Sequence, residues 1–135
     1  MCGIIGLTFT ESFQGSHQIQ SLLSDLLVLS ESRGKEASGL ALYTERGIRF
    51  MRTPFPASEL VKSAVFSNEV RATLEKSVAP FAAIVHSRLV TNGYEHDNHN
   101  NQPVVTGSSI AVHNGIIVNY REIWHNHPQL IRETD

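Results

Sequence analysis

The run that most limits how this chain can fold stands at its start: Gly3-Ile4-Ile5-Gly6-Leu7-Thr8-Phe9-Thr10. It is apolar, β-branched and punctuated by glycine, so Cys2 to Thr10 reads as a buried strand. A strand this near a terminus has to be held in a sheet by later parts of the chain, because free termini fray. The only cysteine of the sequence sits at the mouth of that strand, at position 2. Met1 is expected to be trimmed ahead of a small residue, which leaves Cys2 with a free α-amine. An α-amine (pKa about 7.7–8.0) and a thiol (about 8.5) on one residue place a nucleophile beside its own base. The plainer alternative is that Cys2 is simply a small hydrophobe.

Periodicity supplies the next elements. Ser16 is expected to cap a helix in which Ile19, Leu22, Leu23, Leu26 and Leu27 form one apolar face, ending near Ser30 to Ser32. Gly34 and Gly39 frame a tight loop. Gly39 to Thr44 and Ile48 to Arg52 read as strands, joined through Glu45-Arg46-Gly47 as a hairpin. Beyond Pro54 and Pro56, Ala57 to Val65 and Ser67 to Lys76 read as two short helices, with Ser67 as the cap between them. Phe81 to His86 is apolar enough for a buried strand, and Asn92 to Gln102 is a polar loop. Pro103 to Val105 and Ser109 to His113 pair around Thr106-Gly107-Ser108, and a last helix is expected from Asn119 to His125. Strands dominate the core and helices cover them, so the class is α+β with largely antiparallel sheets.

Size and charge bound the function classes. The 135 residues suffice for one domain with a real core. A net charge of −2 implies neither a nucleic-acid nor an anionic-lipid partner. One cysteine excludes an intrachain disulfide and fits a reducing compartment. There is no basic start running into an apolar signal segment and no long apolar run, so no membrane association and a cytoplasmic location are expected.

Three stretches can meet Cys2. Arg33-Gly34-Lys35-Glu36-Ala37-Ser38-Gly39 is a glycine-framed loop after a helix, or an ordinary turn. His86-Ser87-Arg88-Leu89-Val90-Thr91-Asn92-Gly93 places an arginine and a threonine at the mouth of a buried strand, where a guanidinium fork suits a small carboxylate. His86 itself reads as a structural, hydrogen-bonding histidine. His113-Asn114-Gly115-Ile116-Ile117 contains Asn-Gly, either a turn or an oxyanion hole made by the Asn114 amide and the Gly115 N–H. His96, Asp97 and His99 lack a fourth ligand at convincing spacing, so no metal is expected.

Taken in order, Met1-Cys2-Gly3-Ile4-Ile5-Gly6, Arg33-Gly34 to Gly39, His86-Ser87-Arg88 with Thr91 and Gly93, and His113-Asn114-Gly115 with Asn119 resemble the class II glutamine amidotransferases. Within that family the likeness is greatest to the glutamine domains of glutamine–fructose-phosphate aminotransferase and phosphoribosyl-pyrophosphate amidotransferase. The resemblance spans residues 1–135 as one domain. It implies an N-terminal-nucleophile hydrolase with an αββα sandwich, incomplete in this chain. It also implies glutamine as substrate and no cofactor. Cys2 would be the nucleophile, attacking the glutamine amide to form a thioester, with Asn114 and Gly115 holding the oxyanion. Arg88 would bind the α-carboxylate, Thr91 and Asn92 would line the same loop, and Asp135 would pair with the α-amine. Arg33 and Gly34 would be structural, near the nucleophile. Ammonia would pass to an acceptor synthase domain or subunit; association into an oligomer is left open.

The chain departs from the family pattern at Ser32, and at Leu89 where the aminotransferase branch carries tryptophan. Asn92 and Gln102 stand where that branch has histidines, and the link from Gly115 to Asp135 is shorter. These changes motivate a rival reading, a non-catalytic binding or regulatory module on the same fold. An amidase for another amide and a redox-sensing thiol are further rivals.

Overall fold

Two helices with apolar residues every fourth position and two strands with alternating apolar residues make the core. The computed structural model describes residues 1–10, 15–75, 81–90 and 96–131. Its strands are β1 (Gly3–Phe9), β2 (Ala37–Thr44), β3 (Gly47–Thr53), β4 (Phe81–Arg88), β5 (Val104–Thr106) and β6 (Ser109–Ala111). Its helices are α1 (Ser16–Ser30), α2 (Ala57–Leu60), α3 (Ala64–Leu74) and α4 (Tyr120–Asn126), with short 3-10 turns at Glu31–Arg33 and Asn98–Asn100. The class is α+β, and every strand pairing is antiparallel.

The four longer strands form one sheet in the order β1-β4-β2-β3, and β5 and β6 form a separate hairpin. One face of the large sheet is covered by helices. Ile19, Leu23 and Leu27 of α1 and Phe66, Val70 and Leu74 of α3 pack there on Leu40 and Leu42 of β2 and on Phe81, Ala83 and Val85 of β4. Spacing of four keeps each helical set on one stripe, and spacing of two keeps each strand set on one face. Of the five residues expected on the α1 face, Leu22 turns outward and is exposed, and Leu26 is half-buried.

The opposite face of the sheet meets the β5–β6 hairpin and the segment leading into it. A cavity of about 190 Å³ lies between the two sheets, bordered by Ala41, Tyr43, Ile48, Ile84, Ser108 and Ile110. β2 begins at Ala37, two residues ahead of the expected start at Gly39, and the lack of a side chain at Gly39 serves contact: a Cβ there would overlap the Gln102 carbonyl oxygen and approach Pro103 Cδ to 2.8 Å.

Several boundaries shift for physical reasons. β1 is an edge strand, not a fully buried one: Ile5, Leu7 and Phe9 lean on the core while Ile4, Gly6 and Thr8 are exposed. Gly15, in the left-handed region at φ 104°, occupies the N-cap position of α1, so Ser16 is already helical. Ser63 rather than Ser67 caps α3, its hydroxyl accepting from the Phe66 N–H at 3.1 Å. Its extended backbone therefore separates α2 from α3, ending the first helix well before Val65. β4 runs on past His86 to Arg88. Among the described residues, no helix is long and apolar enough to cross a membrane.

The Gly39 contact sets a test. Gly39→Ala should destabilise the protein by about 2 kcal/mol or more, as overpacking against backbone does. Gly6→Ala, where a Cβ meets nothing within 4 Å, should be neutral or slightly stabilising. Urea unfolding of the two variants beside the parent measures both; equal costs would contradict the close packing at Gly39.

Candidate active site

The end of the central strand β4 organises the site. β1 starts opposite it, with Gly3 paired to Ser87, so Cys2 emerges beside Arg88 and Leu89. The Leu89 N–H donates to Cys2 Sγ at 3.4 Å, and Sγ lies 3.7 Å from the Leu89 carbonyl oxygen. Gly34 packs directly on the Arg88–Leu89 peptide: a Cβ there would fall 2.5 Å from Leu89 N. The Glu36 N–H donates to the Arg88 carbonyl at 3.2 Å, tying the following chain to the same peptide. Behind it, the buried Ser30 and Ser87 hydroxyls bond each other, and Ser30 Oγ donates to the Leu27 carbonyl at 2.7 Å, which fixes the end of α1 to β4.

Asn114 closes on Cys2 from the other side. Its Oδ1 accepts from Cys2 N at 3.1 Å, and its Nδ2 donates to the Cys2 carbonyl at 3.1 Å. The side-chain amide thus pairs with one residue's N–H and C=O, as a neighbouring strand does. Here Cys2 N is the peptide nitrogen of the Met1–Cys2 bond; a free amine would keep an N–H donor at this place. The Asn114 NH₂ carries a second hydrogen beyond the one given to Cys2. Exposed Arg33 borders the same recess of about 400 Å³, with Cys2, Leu29, Ser30 and Asn114.

Arg88 is buried, and its Nη1 donates to Asn101 Oδ1 at 2.7 Å. Gln102 holds the loop ahead of Asn114: Gln102 Oε1 accepts from the His113 N–H at 2.5 Å, and its Nε2 donates to the His113 carbonyl at 3.2 Å.

Cys2, Arg33, Gly34, Arg88 and Asn114 therefore gather at one end of the sheet, and Gly115 follows Asn114 in the exposed loop. Thr91, Asn92 and Asp135 lie outside the described residues. Asp97 serves its own turn, accepting from the His99 N–H at 2.9 Å and from Asn100 Nδ2 at 3.0 Å. Among the described residues no three His, Cys, Asp or Glu side chains group as metal ligands. The Leu89 N–H and the side chain of Asn101 were not legible as site groups: the first is backbone, and the second sits in a stretch whose composition says only loop.

His86 is fully buried on β4, and neither ring nitrogen has a hydrogen-bond partner among the described residues. The hydrogen bonds its sequence suggests are thus not made within the described residues. Burial, and then the Arg88 charge, push its pKa from 6.5 down to about 4; the His113 backbone pulls weakly the other way without reaching hydrogen-bond geometry.

No family model matches the chain. Curated relatives do. The glutamine–fructose-6-phosphate aminotransferase (isomerizing) of Acinetobacter baylyi is 30% identical over 123 residues, 91% of this chain and 18% of that protein. The enzyme of the same name from Lactococcus lactis is 32% identical over 124 residues, 91% of this chain and 18% of the relative. That from Halalkalibacterium halodurans is 28% identical over 133 residues, 97% of this chain and 19% of the relative. The chain thus spans less than a fifth of the length of these relatives.

The buried imidazole makes stability depend on pH. The folded state keeps His86 neutral down to about pH 4, whereas the unfolded chain takes up its proton near 6.5. Its contribution is complete above about 6.5 and declines as pH falls toward 4. Between pH 7 and pH 5 the parent should lose about 2 kcal/mol more unfolding free energy than His86→Gln. Equal losses in urea titrations at the two pH values would refute the assignment.

Proposed function

From a chain related to the class II glutamine amidotransferases, we propose a glutamine-hydrolysing site with Cys2 as its nucleophile. The observation that carries the reading is the convergence on one cysteine of segments distant in sequence. The Asn114 amide, 112 residues away, clasps its backbone, and the Leu89 N–H points at its sulfur.

With Met1 removed, the α-amine takes the thiol proton through a water, and the sulfur attacks the side-chain amide carbon of glutamine. The carbonyl oxygen gains the negative charge. The second Asn114 Nδ2 hydrogen and the Gly115 N–H receive it, donors that act most strongly as that charge develops. The protonated amine returns its proton to the leaving nitrogen, the C–N bond breaks, and ammonia departs. A glutamyl thioester remains; water, deprotonated by the same amine, cleaves it to glutamate and restores the thiol.

Arg88 reads the α-carboxylate with its guanidinium fork. Thr91 and Asn92 line that loop, and Asp135 meets the α-amine. Arg33 and Gly34 shape the wall beside the nucleophile. In this reading residues 1–135 belong to an αββα N-terminal-nucleophile domain in which β5 and β6 start the second sheet. The setting is the cytoplasm, the chemistry needs no cofactor, and ammonia passes to an acceptor synthase domain or subunit.

The experiment is kinetic. Cys2→Ala should abolish glutamate release by the full-length protein, and a glutamine-like diazo-ketone should add once, at Cys2. Asn114→Ala should lower kcat by about 10²–10³ with KM nearly unchanged, whereas Arg88→Ala should chiefly raise KM. Glutaminase activity in protein that mass analysis shows to retain Met1 would overturn the mechanism; a protein that binds glutamine and leaves it intact would favour a binding module instead.

A further inference from the structure

The geometry points to the dipeptide Asn101-Gln102 as a two-armed positioning element, one arm setting the carboxylate-reading arginine and the other setting the oxyanion loop. This rests on the glutaminase reading above.

The dipeptide is firmly seated. Asn101 is 1% exposed and Pro103 is buried. The Gln102 carbonyl lies against Gly39, in a space that only a missing side chain leaves. The Asn101 N–H donates to the Asn98 carbonyl at 3.2 Å, its Nδ2 donates to Asn98 Oδ1 at 3.1 Å, and its carbonyl accepts from Arg52 Nη1 at 3.4 Å. From that base the two side chains reach different parts of the site.

Asn101 Oδ1 meets Arg88 Nη1 at 2.7 Å. The acceptor is a neutral amide oxygen. It orients the guanidinium without cancelling its charge, which a carboxylate in the same place would do. That is the partner suited to an arginine that has to hold an anionic ligand. Gln102 takes both the N–H and the C=O of His113, the residue immediately before Asn114. Asn114 in turn takes both the N–H and the C=O of Cys2. Two side-chain amides in series therefore replace strand pairing between the hairpin, the oxyanion loop and the nucleophile. Loosening the first leaves the second to find its place unaided.

The two arms predict separable kinetics in the full-length protein. Asn101→Ala should raise KM for glutamine about tenfold and change kcat by less than about threefold. Asn101→Asp keeps the shape and the acceptor, yet should raise KM at least as much because it neutralises Arg88. With 4-aminobutanamide, which is glutamine without its α-carboxylate, Asn101→Ala and the parent should have equal kcat/KM. Gln102→Ala should lower kcat about tenfold and move KM by less than about threefold, and Gln102→Glu, which keeps the acceptor and loses the donor, should fall between it and the parent. Variants with parental unfolding midpoints and unchanged constants, or with kcat and KM altered alike at both positions, would overturn the proposal. Calorimetric binding of glutamate separates it from the glutaminase reading. If the parent binds glutamate but leaves glutamine intact, that reading fails and the Gln102 arm with it. The Asn101 arm is then decided by whether Asn101→Ala weakens glutamate binding about tenfold; an unchanged dissociation constant overturns it.

Discussion

The pairing of β1 with the end of β4 is the constraint on which the rest of the site depends. It sets Gly3 against Ser87 and so delivers Cys2 to the Arg88–Leu89 peptide. Everything else at the site secures that peptide. Gly34 packs on it, Glu36 bonds to it, and the Ser30–Ser87 hydroxyl pair pins the strand to α1 from behind. A ladder bond is worth little alone, but a buried polar group left unmatched costs more, so such an arrangement has few competing registers. A slip of one residue would turn the core-facing Ile5, Leu7 and Phe9 to the exposed side.

The central strand is buried on both faces at its functional end, and this has an electrostatic effect. His86, Ser87 and Arg88 follow one another there, all buried. Ser87 turns toward α1 and is satisfied by another hydroxyl. Arg88 finds the Asn101 oxygen. His86 lacks a polar partner among the described residues and stays neutral, the state that burial and an adjacent guanidinium both favour. Ser87 and Arg88 thus find partners on opposite faces of β4, while His86, on the same face as Arg88, is buried without one among the described residues.

Much of this was legible in the chain. The helical spacing from Ile19 to Leu27 and the continuous apolar run through residues 81 to 85 are local patterns, and they gave the helix and the central strand, though Leu22 of the expected helical face turns outward. The clustering of Cys2, Arg88 and Asn114 followed from the order of short motifs and their resemblance to a family. What failed depended on distant partners. A serine caps a helix only where its backbone is extended, so Ser63 displaced Ser67, and Gly15 left Ser16 inside its helix. An apolar run does not say how many neighbours it will have, so β1 passed for an interior strand while lying at an edge. Gly39 was read as the first residue of its strand, but the reason it must be glycine stayed hidden, because the Gln102 carbonyl that requires it is far along the chain. Asn101 and Gln102 were hidden for the same reason: amides in a polar stretch become meaningful only once their partners are in place.

The first rung of the sheet is at Gly3, one residue beyond Cys2, and Met1 stands outside it, 71% exposed. Cutting the Met1–Cys2 bond therefore removes no rung from the β1–β4 ladder, and the new amine inherits the Asn114 acceptor already facing that nitrogen. In the proposed mechanism, loss of the exposed Met1 would thus supply the base without disturbing the pairing that holds Cys2 in place.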